Sequence, residues 1–158
     1  MIKRITDDRM KHMHAVAEYM YEHANEYGLG EKKNELYVLG LIHDIGLLNG
    51  DIIGHEASGY ELAESMSLEN WMAQAIRWHG SSPTEYKNYF GYKDDSQIPK
   101  YLLLLWEADM HIGANGGYKT YDERLHEINL KNIKMFGTND WDKTGKEIVE
   151  LLRKFGRK

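Results

Sequence analysis

The segment LYVLGLIHDIGLLNG, residues 36–50, places a histidine and an aspartate side by side within a run of apolar residues. A segment this apolar is expected to be buried. Burying a carboxylate beside an imidazole costs several kcal/mol unless another group compensates the charge. The pair His43 and Asp44 therefore predicts a compensating group inside the protein, and the rest of the chain indicates what that group is.

The composition predicts one folded domain over residues 1–158, because 42% of the residues are hydrophobic and 28% are charged. The net charge of −5 and the lack of a long Lys/Arg cluster argue against a general nucleic-acid-binding surface. The chain has no cysteine, which excludes disulfides, thiolate nucleophiles and Cys-based zinc sites. No secretory signal or membrane-spanning run is visible, so we expect a cytoplasmic protein without membrane contact.

The apolar periodicity is helical along most of the chain, and we predict an all-α fold, a compact bundle of about six to seven helices. Residues 81–98 are polar and aromatic and are predicted to form a long loop. The predicted helices run from Thr6 to Gly28, from 33 to 45 with a stop at Gly46, from about Gly54, from about Leu68 to Gly80, from Pro99 to Gly113, from 122 to 135 and from 141 to 154.

Four of these helices carry a single histidine or aspartate on an otherwise apolar face. Positions three, four and seven residues apart share a face of a helix. By this rule the polar residues and their apolar neighbours are His43 with Leu36 and Leu39, His55 with Leu62, His79 with Met72, and Asp109 with Leu102 and Leu105. Glu107, His111 and Lys100 share a different face, which we expect to be exposed.

The first helix offers both His12 and His14, which lie about 200° apart and cannot both point inward. His14 flanks the core-facing stripe on the side of Glu18, whereas His12 flanks it on the side of Arg9. Arg9 falls on the core-ward face, where an arginine needs a buried partner or a ligand. His12 is therefore the better candidate for an inward-facing group.

A single buried histidine is more often a hydrogen-bonded core residue than a ligand, and Asp109 alone could be a partner for Arg9. This interpretation weakens because five helices each contribute such a residue. Hydrogen bonds among neutral imidazoles do not neutralise two carboxylates, whereas a cation does. Histidine and carboxylate without thiolate suit Zn, Mn or Fe, and six such groups are too many for one tetrahedral ion.

The motif HDIG at residues 43–46 resembles the signature of the HD-domain superfamily, metal-dependent phosphohydrolases with an all-helical fold. The segment RMKHMHAVA at 9–17 resembles the superfamily's Arg-x-x-His-x-x-x-Val-Ala pattern, which also favours His12 over His14. The segments HEASGYELA at 55–63, AIRWHG at 75–80 and LLLLWEAD at 102–109 resemble its later ligand-bearing segments. Leu47 replaces the lysine that often follows HDIG, and no Gly-Tyr-Pro element is present, which argues against a cyclic-di-GMP phosphodiesterase.

The resemblance covers about residues 9–112 and implies a set of metal ligands. His12, His43, Asp44 and Asp109 are the core set, and His55 and His79 are the extra pair of two-metal members. Two divalent transition metal ions (Fe, Mn, Zn, Ni or Co) about 3.5–4 Å apart would then supply a hydroxide that attacks phosphorus. In a one-metal enzyme, His55 and His79 would instead bind phosphate or protonate the leaving group.

The implied substrate is a nucleotide or another small phosphorylated molecule, whose phosphate needs further cations. Arg9, Lys100 and Arg77 are the candidates to bind it, and Lys119 and Arg124 are weaker ones. Two other functions stay open: a di-iron oxygenase on the same fold and ligand set, and a regulatory module that binds a nucleotide without cleaving it. A homodimer is also possible.

Overall fold

All named elements of the described residues, 5–49 and 54–158, are helices in this computed structural model. The α-helices are α1 (Asp7–His23), α2 (Lys33–Ile42), α3 (His55–Ser65), α4 (Asn70–Trp78), α5 (Pro83–Phe90), α6 (Lys100–His111), α7 (Tyr121–Phe136) and α8 (Trp141–Lys154). Short 3-10 helices cover Ala24–Tyr27, Gly30–Lys32, Ile45–Asn49 and Asp95–Gln97. The all-α prediction is confirmed, with eight α-helices in the described residues instead of six to seven.

The additional helix is α5, within the segment that was predicted to be a loop. Ser82 caps it by accepting a hydrogen bond from the Glu85 backbone N–H, and Pro83 occupies the first turn. The buried ring of Tyr86 packs against Trp78 and Phe90. The prediction of a loop was wrong because the cap and the aromatic contacts together outweigh the polar composition of this segment.

The HDIG segment forms a turn instead of the end of a helix. Helix α2 ends at Ile42, so that His43 and Asp44 lie in the turn before the 3-10 helix Ile45–Asn49. Gly46 was predicted to end this helix, but it lies beyond the helix end and instead allows a close contact. A Cβ on Gly46 would lie 1.8 Å from the His55 carbonyl oxygen and 2.7 Å from the Gly59 nitrogen. Glycine is required here because α3 crosses directly over the turn.

Helices α1 and α2 pack closely enough to bring their two histidines together. A Cβ on Gly40 would lie 2.7 Å from the Ala17 Cα atom, so the two backbones are in contact at this point. Val16 and Leu36 beside this contact are completely buried. The contact lies one turn before His43 and one turn after His12, which fixes the spacing between the two imidazoles.

The face of α6 that carries Glu107 and His111 is buried, contrary to prediction. The Glu107 carboxylate accepts hydrogen bonds from the hydroxyls of Tyr19 and Tyr27 at 2.8 and 2.9 Å, and it pairs with the Arg157 guanidinium. His111 contacts the backbone oxygens of Lys119 and Lys158. These partners satisfy the buried charge and tie the end of the chain to α1 and α6.

No helix among residues 5–49 and 54–158 is long and apolar enough to cross a membrane.

Candidate metal centre

The structure brings together six residues that were predicted as ligands, at the point where five helices meet. The Asp109 Oδ1 atom lies 3.0 Å from His12 Nε2 and 3.6 Å from His43 Nε2. The two Asp44 oxygens face different histidines: Oδ2 lies 3.3 Å from His43 Nε2 and Oδ1 lies 3.2 Å from His79 Nε2. The Oδ1 atom is also 3.1 Å from His55 Nε2.

Backbone carbonyls fix the orientation of three of these imidazoles. The Nδ1 atoms of His12, His43 and His79 each lie within hydrogen-bond distance of a carbonyl oxygen, that of Gly113 at 2.9 Å, Gly40 at 2.7 Å and Ile76 at 2.6 Å respectively. A carbonyl only accepts, so each Nδ1 must carry the proton and donate it. This outer-shell arrangement is typical of histidines that bind a metal through Nε2.

In the neutral tautomer, the Nε2 atoms therefore point lone pairs at the carboxylate oxygens. The imidazoles of His12 and His43 are completely buried, and their Nε2 atoms have no hydrogen bond of acceptable geometry. Lone pairs of nitrogen and oxygen that face each other in a dry interior repel unless a cation lies between them. A metal ion satisfies these buried atoms, and so the residues fit one.

Without a metal, protons perform the same neutralisation. Burial opposes a charge on His43, but the Asp44 and Asp109 carboxylates outweigh this effect and raise the pKa of His43 to about 10. Burial likewise opposes ionisation of the two aspartates, yet the facing histidines hold the pKa of both well below the usual value. The ionised carboxylates of Asp44 and Asp109 therefore stabilise a positive charge placed between them and the histidines.

The ligand atoms form three overlapping groups, each compact enough to hold an ion. These groups are His12–His43–Asp44, His43–His79–Asp109 and Asp44–His55–His79. The first and third share only Asp44, whose two oxygens face opposite sides. His55 Nε2 and His79 Nε2 are 3.2 Å apart, a distance suited to two ligands of one ion. The first and third groups are thus separate sets of donor atoms apart from Asp44.

Two arginines contact the same carboxylates from outside. The Arg9 Nη1 atom donates to Asp44 Oδ2 at 3.0 Å, so the core-ward arginine of α1 has a buried partner. The partner of Asp109 is Arg124 of α7, not Arg9: its Nε donates to the Asp109 backbone oxygen at 2.9 Å, and its Nη2 lies 3.5 Å from Oδ1. Arg124 also pairs with Glu127 at 2.7 Å.

A cavity of about 490 Å³ opens over this cluster and exposes Asp44, His55, His79 and Asp109 to it. Its opposite wall comes from α7 and the start of α8. The residues of that wall include Arg124, Glu127, Ile128, Lys131, Asn132, Phe136, Thr138, Asp140 and Trp141. Partial removal from water, followed by the nearby charge of Arg9, lowers the pKa of Lys131. The volume falls in the range of sites for small molecules.

The structure places Lys100, Arg77 and Lys119 outside the cavity lining, although they were candidates for binding phosphate. Lys100 lies at the opposite end of α6 from Asp109. The Arg77 guanidinium lies over the rings of Tyr60 and Tyr89. A favourable cation–π contact thus accounts for its position without a ligand.

The remaining histidines lie away from the cluster. His14 and His126 are exposed. His23 pairs with Glu26, and His111 belongs to the buried network around Glu107. The structure therefore agrees with the choice of His12 over His14 for the inward position.

The family model of the HD domain matches residues 9–111, and the chain belongs to this family. The family is of the metal-dependent phosphohydrolase type, and the buried histidine and aspartate groups are compatible with metal binding. No curated protein and no solved structure gives a significant match.

Of the wall that α7 and α8 contribute to the cavity, the sequence analysis named only Arg124, as a weaker candidate to bind phosphate. A stronger signal for Arg124 was present, because it shares a helical face with Tyr121 and Leu125, which are both buried. This is the same pattern of one polar residue on an apolar face that identified the histidines. Lys131 and Phe136 carry no comparable signal, because an exposed lysine or a single aromatic residue is common on any helix.

Proposed function

We propose that the protein is a metal-dependent phosphohydrolase acting on a small phosphorylated molecule. The observation that carries this proposal is the set of three histidines whose Nδ1 atoms donate to backbone carbonyls, so that their Nε2 lone pairs face the carboxylates of Asp44 and Asp109 beneath an open cavity. An interior arranged in this way is costly without a cation and favourable with one.

His12, His43, Asp44 and Asp109 would hold one ion, and His55 and His79 with Asp44 a second. Divalent ions supply a Lewis acid for phosphoryl oxygens and increase the acidity of bound water. The carbonyl hydrogen bonds of Gly113, Gly40 and Ile76 hold the Nδ1 protons and turn each Nε2 atom toward the carboxylates, the orientation that a metal ligand needs.

An anionic substrate would be held by the metal ions together with Arg9, Arg124 and Lys131, which all line the cavity. The metal ions are needed for this because the described lining also contains five carboxylates: Asp44, Glu56, Asp109, Glu127 and Asp140. Arg9 and Arg124 are held in place by their ion pairs, and a bound phosphoryl group would accept hydrogen bonds from the remaining N–H groups of each guanidinium. A phosphate ester therefore fits this cavity better than the neutral diol expected for the alternative, a di-iron oxygenase.

The test has two measurements on the same preparation. Elemental analysis of protein purified without added metal gives the identity and number of ions. A panel of phosphomonoesters, phosphodiesters and pyrophosphates then gives turnover, with the Asp44→Asn variant as the inactive control. Metal content near zero, or metal with no turnover of any ester, would contradict the proposal. Oxygen consumption by iron-loaded protein with a diol would support the oxygenase instead.

A further inference from the structure

The charges of the cavity limit how much phosphate it can hold. Among the described residues Lys131 is the lining cation without an ion pair, because Arg9 pairs with Asp44 and Arg124 pairs with Asp109 and Glu127. Glu56 and Asp140 add further carboxylates to the lining. The remaining N–H groups of Arg9 and Arg124 would serve a phosphoryl group at the metal centre, which leaves Lys131 as the one further cation of the described lining. This supply of positive charge suits a single phosphoryl group better than a chain of two or three.

The part of the cavity wall where α7 ends and α8 begins is aromatic. Trp141 at the start of α8 is half-buried, and its indole N–H donates to the Gly80 backbone oxygen at 3.1 Å. Because Gly80 follows His79 directly, this bond places the indole beside the metal centre. Phe136 at the end of α7 also lines the cavity, although 41% of its surface is exposed. An aromatic ring left open at a cavity wall is available to stack on a planar ligand.

Polar side chains alternate with these rings along the same wall. Asn132 and Thr138 line the cavity beside Phe136 and Trp141. An amide group and a hydroxyl can both donate and accept hydrogen bonds, which suits the mixed edge of a nucleobase. A sugar phosphate would leave the aromatic rings uncovered, and a polymer would not fit a cavity of about 490 Å³.

We infer that the substrate is a nucleoside monophosphate, with Lys131 on the phosphate and the base held by Phe136 and Trp141. This inference rests on the proposed phosphohydrolase function. It assigns substrate selection to the part of the chain after residue 111, where the match to the HD-domain model ends. Phe136 and Trp141 are binding residues for the base and take no part in cleaving the phosphate ester.

The experiment compares Phe136→Ala with a matched control. Phe155 at the end of α8 is equally exposed, at 43% against 41%, and does not line the cavity. Hydrolysis of four nucleoside 5′-monophosphates is measured beside that of ribose 5-phosphate. The preference is the kcat/KM value of the best nucleotide divided by that of ribose 5-phosphate. Loss of base stacking in Phe136→Ala should lower this ratio by about ten-fold. Phe155→Ala should keep the wild-type preference.

Lys131→Met has a similar control in Lys134→Met, one turn away on α7 and outside the cavity lining. Lys131→Met should lower kcat/KM for nucleotides and for ribose 5-phosphate by a similar factor, because both carry the phosphate. A wild-type enzyme without preference for a nucleotide, or an unchanged preference in Phe136→Ala, would overturn the inference.

A binding measurement separates this inference from the proposed function. Calorimetry with the same nucleotides in the presence of a chelator reports on the base site without turnover. About ten-fold weaker binding to Phe136→Ala, with no hydrolysis of any ester by the metal-loaded protein, would refute the phosphohydrolase and keep the base site. If the protein hydrolyses phosphate esters and Phe136→Ala binds nucleotides as tightly as wild type, the base site alone is refuted.

Discussion

Replacing Gly40 by alanine should damage the metal centre from a distance. The added Cβ would lie 2.7 Å from Ala17 Cα and 2.8 Å from Ala17 N, both of which are backbone atoms that cannot rotate away. Carbon atoms in contact prefer a separation of about 3.5–4.0 Å, so α2 must move by roughly 1 Å relative to α1. His43 moves with α2, whereas His12 stays with α1.

The magnitude follows from two opposing effects on the fold and one on the site. Overpacking costs about 1–3 kcal/mol, and the better helix propensity of alanine returns about 1 kcal/mol. The metal-free variant should therefore lose at most about 2 kcal/mol of stability. Metal ligands tolerate displacements of only about 0.2 Å, so a shift of 1 Å should weaken metal binding by ten-fold or more. At a metal concentration 100 times the wild-type Kd, stabilisation then falls from about 2.7 to about 1.4 kcal/mol.

The assay is thermal unfolding of Gly40→Ala and wild type, each with chelator and with added metal. The difference in Tm between the two conditions should shrink in the variant by about half. Gly117→Ala is the control, because the nearest atom to its Cβ is the side-chain Asn115 Oδ1 atom at 3.3 Å, with no backbone atom in the way. An undiminished metal-dependent rise in Tm for Gly40→Ala would show that the helix contact does not set the spacing of the ligands.

Three further predictions concern the histidines. His79→Ala should lower the metal content from near two ions per chain to near one, measured by elemental analysis; unchanged content with reduced turnover would instead assign His79 to proton transfer. His14→Ala should retain metal and activity, whereas His12→Ala should lose both. In metal-free protein, the facing carboxylates hold the pKa of His43 near 10 although burial opposes this. The stability from this positive charge is therefore complete below pH 6.5 and lost toward pH 10, so Tm in chelator should fall across that window and vary less with metal bound.

The inward-facing ligands could be predicted because helical periodicity fixes which residues share a face. Each of His43, His55, His79 and Asp109 was the polar residue on an apolar stripe, and the structure brings all four to one point. The 100° rotation per residue showed that His12 and His14 cannot both point inward, and the core-ward position of Arg9 together with the superfamily pattern favoured His12. Distances between helices were not needed for any of these conclusions, which is why sequence reasoning succeeded for them.

The cavity lining that faces the six clustered residues could not be predicted in the same way, because it depends on which helix ends meet in the fold. Lys100 could have been excluded as a neighbour of Asp109: nine residues of helix separate them, which is about 13 Å. The partners of Glu107 could not have been identified, because Tyr19 and Arg157 come from opposite ends of the chain. Burial of a charged residue of this kind depends on tertiary contacts that no local pattern encodes.

The division of the site along the chain bears on how such a protein can change its substrate. The six metal-type ligands lie between residues 12 and 109, within the segment that matches the HD domain. The opposite wall of the cavity comes from residues 114–141 and contacts the surroundings of the centre through Arg124 with Asp109 and Trp141 with Gly80. Since the carbonyls that orient His12, His43 and His79 come from Gly113 and earlier residues, substitutions in α7 that spare Arg124 and its partner Glu127 should leave the ligand geometry intact. The proposed base site could then change while the residues that would hold the metal stay in place.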